Sequence, residues 1–255
     1  MWLRLRQIAL VAEKLAPIET QLEQVLGIKV CYRDPGVGHF GLENALFPIG
    51  NQLLEVVAPT QENTAGGRYL ERRGGDGGYM VITQCDDHAP RRRRVEELGI
   101  RRVAESDSED YGLMQLHPKD TGGSFFEIDE QRGQGALDAD GPWEPAGPDW
   151  QTARCLDRIV HIRAAEIQCD DPEVVAARWS TIAQIPLQRS DGMLTLPLDN
   201  AVLRFVSCED GRPEGLGGID VEAADKEAIL ASASQLGLPC SGSMVSICGL
   251  RITLV

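Results

Sequence analysis

Apolar residues along this chain recur with two periods: alternation of the kind that marks strands and a longer spacing that marks helices. The two follow each other in a repeated order. The run Gln7-Ile8-Ala9-Leu10-Val11 alternates as a half-buried strand does, and a helical stretch from about Pro17 to Leu26 follows, stopped by Gly27 at a C-cap position. Three β-rich segments come next, IKVCYRD, HFGLENALFPIG and NQLLEVVAP, punctuated by the turn signals Pro35-Gly36 and Gly50-Asn51. The order is βαβββ. It returns in YMVITQC, an arginine-led helix ending at Leu98-Gly99, and then IRRVAES, YGLMQLHP and SFFEIDE.

Residues 132–150, RGQGALDADGPWEPAGPDW, interrupt the repeat with Gly, Pro and Asp and no apolar period. They read as an interdomain linker, with Trp143 and Trp150 available to pack. A third pass follows in CLDRIVHIRA, the helix of DPEVVAARWSTIAQ, and PLQRS, MLTLPL and AVLRFVSC, with Asp171 and Pro172 placed as N-cap and first helical residue. A fourth is GGIDVEA, a helix from about Ala224 to Leu236 stopped by Gly237, and GSMVSICGLRITLV. The expected organisation is two domains of two modules each, 1–131 and 151–255, joined by the linker at 132–150.

Composition narrows the partners. The chain has 255 residues, 42% hydrophobic and 25% charged, enough for one large or two small domains. A formal net charge of −14 argues against nucleic acid and against anionic membrane surfaces, which need a clustered positive field. The basic run at 91–94 opens an amphipathic helix and reads as its solvated face. The seven cysteines are scattered, odd in number and never in a CxxC pair, which suits reduced thiols. The N-terminal apolar stretch is short and broken by Glu13 and Lys14, so the expectation is a cytoplasmic protein.

Two passages carry a family resemblance. LFPIGNQLLEVVAPTQENTAGGRYLERRGGDGG and LHPKDTGGSFFEID resemble the vicinal oxygen chelate superfamily of glyoxalases, epimerases, extradiol dioxygenases and bleomycin-resistance proteins. The first half is most similar to methylmalonyl-CoA epimerases, while beyond residue 131 the likeness is one of module order. The resemblance implies an α+β fold of four βαβββ modules, forming two glyoxalase-like domains with curved mixed sheets and flanking helices. It also implies a divalent ion in the cleft of a paired sheet, held by one residue from each of four strands. Gln7, Glu55 and Glu127 fall at three of those metal positions. At the position where the family has His, this chain offers Tyr79 or Met80, depending on register. Such a site keeps three ligands and an extra water, binds metal weakly, or binds none.

Alternation adds an argument independent of the resemblance. In LLEVVAP, Glu55 shares a strand face with Leu53 and Val57, and in FFEIDE, Glu127 shares one with Phe125 and Asp129. A carboxylate on an apolar face needs a partner, and two from different modules point to a common site. The plain alternative is structural: Gln7 as a polar edge residue, and Glu55 or Glu127 paired with Arg4, Arg6 or Arg72 on a solvated face.

His39, expected to open the third strand, is the candidate general base, since its ordinary pKa allows proton exchange near neutrality. Glu127 is the second acid/base candidate. Tyr79, Met80 and His117 are the substrate-contacting candidates, His117 by positioning its loop, with Gly122 and Gly123 letting backbone approach a ligand. A metal there suits isomerase or lyase chemistry next to the carbonyl of a small 2-oxo or hydroxy-acyl compound. The rival is a non-catalytic protein that sequesters a small molecule, as bleomycin-resistance proteins do. The second half has Arg158, Arg204, Gly218 or Ile219, and Thr253 at the ligand positions, which suggests internal pairing with Asp220 and Glu222, or a lid or dimerisation role. A homodimer is compatible with either arrangement.

Overall fold

The alternating segments pair into two mixed sheets in the computed structural model, which describes residues 2–190 and 192–255. The first half contains β1 (Leu3–Val11), α1 (Leu15–Leu26), β2 (Leu42–Ile49), β3 (Gln52–Pro59), α2 (Ala65–Arg73), β4 (Gly77–Cys85), α3 (His88–Glu97), β5 (Arg102–Asp107), β6 (Tyr111–Leu116) and β7 (Phe125–Gln131). The second half contains β8 (Ile159–Cys169), α4 (Pro172–Ala183), β9 (Gln188–Ser190), β10 (Met193–Pro197), β11 (Val202–Ser207), β12 (Gly215–Ala223), α5 (Lys226–Gln235), β13 (Cys240–Ser241), β14 (Met244–Ile247) and β15 (Leu250–Leu254). The sheet orders are β2-β3-β1-β4-β7-β6-β5 and β13-β14-β15-β12-β8-β11-β10-β9.

Both sheets obey one rule. The first strand of each module pairs parallel with its last, as in β1 with β3 and β8 with β11, and two modules join through their antiparallel first strands, β1 with β4 and β8 with β12. A parallel pair needs a long crossover, which the module's helix supplies. The first module departs from expectation: IKVCYRD makes only the single bridge of Tyr32 to Leu46. Pro35 carries no N–H, and Asp34 caps a 3-10 helix (Pro35–Phe40) by accepting from the Gly36 amide at 2.7 Å, so the chain leaves the sheet there. Helix α2 was masked in the sequence by glycines in its first turn, which weaken a helical pattern. A Cβ on Gly66 would lie 3.1 Å from the end of the Leu42 side chain, which would have to give by a few tenths of an ångström.

Each strand of the first sheet sorts its side chains between two faces. Leu54 and Val56 of β3, and Phe126 and Ile128 of β7, enter an apolar cluster with Leu22, Val25 and Leu26 of α1. Their neighbours Leu53, Val57 and Phe125 face the opposite way, into a separate cluster with Tyr79, Trp143 and Trp150. The larger cluster runs on without a break into the helix-covered face of the second sheet. Trp179 of α4 is the joint: its ring stacks on Phe126 of β7 at 4.1 Å, meets Phe205 of β11 edge-on at 5.7 Å, and donates Nε1–H to the Thr121 carbonyl at 2.9 Å.

Polar side chains complete the junction. Gln52 exchanges two hydrogen bonds with the Ile162 backbone, at 2.7 and 3.0 Å, and Asn200 does the same with Leu5, at 2.8 and 3.0 Å. Each amide imitates one rung of a strand ladder across the two halves. Arg158 precedes β8 and lies in no strand. It donates to the Val25 carbonyl at 2.8 Å, satisfying the open C-terminal end of α1. Among the described residues, no helix is long and apolar enough to cross a membrane.

Because the larger core is common to both sheets, the chain should unfold in one cooperative step. Trp179→Ala is expected to cost about 3–5 kcal/mol and to lower the stability of both halves together. Urea denaturation followed by far-UV circular dichroism tests this, and two well-separated transitions in the wild-type protein would contradict it.

Candidate active site

The site is built on the face of the first sheet that the large helices leave open. A cavity of about 310 Å³ lies there, walled by β1, β3, β4, β6 and β7 and rimmed by the 3-10 helix, α2, β5 and residues 144–145. Strand alternation puts Glu55 and Glu127 into its floor, as the sequence pattern required. Register shifts decide the rest. One between Leu5 and Gln7 turns Gln7 toward the cavity, on the face opposite the buried Leu5 and Ile8. A second pairs Ala9 with Met80 and Leu10 with Gly78, leaving Tyr79 as the extra residue, so both Tyr79 and Met80 line the cavity. The Tyr79 ring meets Phe125 and Tyr69, each with centroids 4.8 Å apart.

Both carboxyl groups are held by amides. Asn44 donates to Glu55 Oε1 at 2.6 Å and Gln7 Nε2 donates to Glu55 Oε2 at 2.9 Å. Gln115 donates to Glu127 Oε2 at 2.7 Å, and Tyr111 OH donates to Asp129 at 2.6 Å. Trp143 Nε1 donates to Gln7 Oε1 at 2.9 Å. An indole N–H can only donate, so this bond fixes the Gln7 amide with its oxygen toward Trp143 and its NH₂ toward Glu55.

Trp143 is delivered by the Gly/Pro-rich segment, which is docked on the sheet. Arg4 donates to the Leu137 and Asp138 carbonyls at 3.2 and 2.8 Å, and Arg6 to those of Ala139 and Gly141 at 2.6 and 2.9 Å. The Arg6 guanidinium also lies 5.4 Å from the Trp143 ring and 5.2 Å from that of Trp150. Arg4 and Arg6 are thus committed to the segment, and Arg72 lies over the Tyr69 ring and donates to the Gly123 carbonyl.

Burial governs the protonation of the site. Desolvation raises the Glu55 carboxyl to about 7, against the opposing pull of the Asn44 and Gln7 amides, and Glu127 adds repulsion. Burial raises Glu127 as well, and raises Asp129 well above the usual carboxylate range, with the Glu127 charge as a further cause. The Tyr79 phenol is also pushed up by burial and stays neutral.

A divalent ion does not fit this set. The Gln7 oxygen is taken by Trp143, both Glu55 oxygens accept amide hydrogens, Tyr79 is a neutral phenol, and the Met80 thioether is too soft for an oxygen-preferring ion. Among the described residues, no group of three or more His, Cys, Asp or Glu is arranged to hold a metal. Of the expected ligand trio, Gln7 and Glu55 are joined by a hydrogen bond, while Glu127 lines the same cavity and takes its hydrogen bond from Gln115.

The expected histidines fall outside the cavity wall. His39 is exposed in the 3-10 helix, its ring against Phe40 at 5.6 Å, because the chain turns there and does not start a strand. His117 shapes its own loop: Nδ1 accepts from the Lys119 amide at 3.1 Å and its carbonyl from the Asp120 amide at 2.8 Å. Gly123 serves the junction between the sheets, since a Cβ there would lie 2.2 Å from the Glu214 carbonyl oxygen. Asn44, Gln115 and Tyr111 were not singled out in the sequence. The signal for Asn44 and Gln115 was a polar residue alternating with apolar ones on a cavity-facing strand.

In the second sheet the corresponding face is closed by ion pairs. Arg204 pairs with Asp220 and, at 3.2 Å, with Glu166, while Arg251 pairs with Glu166 at 2.9 Å and Asp210 at 2.6 Å. Glu222 pairs with Arg163. Ile219 points into the apolar core.

The sequence matches no protein-family model and no curated protein. Among solved structures, a hypothetical protein from Staphylococcus aureus aligns over 99% of this chain and 99% of its own length, with a TM-score of 0.66 at 12% identity. Methylmalonyl-CoA epimerase from Streptomyces coelicolor, in complex with 2-nitronate-propionyl-CoA, aligns over 51% of this chain and 98% of its own at 21% identity and a TM-score of 0.45. The epimerase from Mycobacterium tuberculosis covers 51% of this chain and 89% of its own at 21% identity and a TM-score of 0.44. Paired βαβββ modules joined through antiparallel first strands, repeated in two sheets, give this chain the vicinal oxygen chelate fold. Fold alone does not assign chemistry.

Two outcomes follow from this geometry. Trp143→Phe retains a smaller aromatic ring but leaves the buried Gln7 oxygen without its donor, so a loss of at least about 1–3 kcal/mol is expected in chemical denaturation; an unchanged midpoint would show that the bond does not hold the segment. Glu55 has an ordinary carboxyl value of 4.5 and a folded value of about 7, so its protonated form stabilises the fold. That contribution, about 3 kcal/mol, is full below pH 4.5 and is lost as pH rises through 7. Glu55→Gln should flatten this fall in thermal stability between pH 5 and 8.

Proposed function

We propose that the first-sheet cavity binds a small organic molecule without the help of a metal ion. The observation that carries this reading is the orientation of Gln7: with its oxygen committed to Trp143, the cluster around Glu55 is satisfied by amide donors and presents no open ligand set. The walls are apolar and aromatic, with polar groups confined to a few positions, the usual composition of a small-molecule pocket. Tyr79, Met80 and Phe125 supply contact area, and Glu127 and Gln115 supply directional hydrogen bonds. The second sheet supports the first through the shared core. Elemental analysis of purified protein should find no stoichiometric divalent ion, and dialysis against EDTA should leave thermal stability unchanged. One bound ion per chain, lost in Glu55→Ala and Glu127→Ala, would overturn the proposal.

One observation favours a second reading, proton transfer to or from the bound molecule. The Glu55 carboxyl titrates near neutrality beside Glu127, as a general acid/base pair requires. Isomerase or lyase chemistry would then run on the two carboxyls alone. Deuterium incorporation into a bound carbonyl compound in D₂O, abolished in Glu127→Gln, is the outcome this reading requires.

A further inference from the structure

We propose that the molecule bound in this cavity is a small organic cation, an apolar or aromatic body carrying one ammonium group. The inference rests on the binding role argued above and adds the charge of the ligand. Four of the cavity-lining residues are acidic, Asp34, Glu55, Glu127 and Glu144, and among the described residues none of those lining it is Lys, Arg or His. The neighbouring arginines are engaged elsewhere: Arg33 pairs with Glu19 at 2.7 Å, Arg6 holds backbone carbonyls, and Arg72 donates to the Gly123 carbonyl at 3.1 Å. An anionic ligand would enter a negative field with no counter-charge, and a carboxylate or phosphate needs the cationic donors that this wall lacks. A cation would find both long-range and short-range attraction.

The placement of the acids suits that role. Asp34 and Glu144 stand at the rim, where charge steers an approaching ligand, and Glu55 and Glu127 lie buried on the floor, with no Lys, Arg or His among the described residues that line the cavity. Aromatic rings complete the enclosure. Phe40, Tyr79, Tyr111 and Phe125 line the same cavity, and their faces attract an ammonium group that has been stripped of water. The apolar body of the ligand also has a place. Phe40 is 56% exposed and Val103 is 46% exposed, and both belong to the cavity lining, so a bound molecule would cover apolar surface that now faces solvent.

Isothermal titration of the full-length protein at pH 8 tests the charge with three probes sharing one ring: benzyltrimethylammonium, benzyl alcohol and benzoate. The cation should bind with one-to-one stoichiometry and at least about tenfold tighter than the alcohol, and benzoate should give no binding heat. Glu55→Gln combined with Glu127→Gln should weaken the cation by at least about tenfold and leave the alcohol within about threefold. Asp34→Asn, at the partly exposed rim, gives a second variant that retains the buried cluster, and its loss should shrink at high salt. If benzyl alcohol or benzoate binds as tightly as the cation, the charge inference fails while the binding role stands. If no probe binds at all, the binding role itself fails.

Discussion

A carboxyl group set into an apolar sheet face must be given hydrogen-bond partners or keep its proton, and the first half of this chain is arranged around two such groups. Glu55 and Glu127 sit between Leu53 and Val57 and between Phe125 and Asp129, on strands from different modules. Their neighbours answer the demand: Asn44 and Gln7 on one, Gln115 on the other. The demand then propagates outward. Gln7 can donate to Glu55 only if something else satisfies its oxygen, Trp143 does so, and Arg4 and Arg6 hold the segment that carries Trp143. An irregular stretch of Gly and Pro is thereby fixed over the sheet by Arg4, Arg6 and Gln7 and by two indole rings.

The two sheets share a topology and solve the same problem in different ways. In the second, arginines meet the carboxylates directly: Arg204 with Asp220 and Glu166, Arg251 with Glu166 and Asp210. These ion pairs fill that face. Amides cannot neutralise a carboxylate, so burial raises the first sheet's acids, Glu55 to about 7 and Glu127 in the same direction, and the face keeps room above them. The helix-covered faces have no such division, because Trp179 and its neighbours merge them into one core. The same module thus serves as a cavity in one copy and as a closed support in the other.

Much of this was legible in the chain. Alternation in LLEVVAP and FFEIDE gave the facing of Glu55 and Glu127, and the order of periodic segments gave the module repeat, since both are local properties of a strand or a helix. His39 and IKVCYRD were misplaced because Pro35 and the Asp34 cap outweigh the β-rich composition beside them. The choice between Tyr79 and Met80 had no answer in sequence, because the shift that admits both depends on how β4 registers against β1.

By itself the sequence determined the class of fold, the faces of the strands and the pair of buried acids, all of which follow from periods of two and 3.6 in neighbouring residues. Only the tertiary structure decided what those acids do. Trp143 lies 136 positions from Gln7, and a donor-only indole at that distance along the chain set the Gln7 amide so that its NH₂ donates to Glu55.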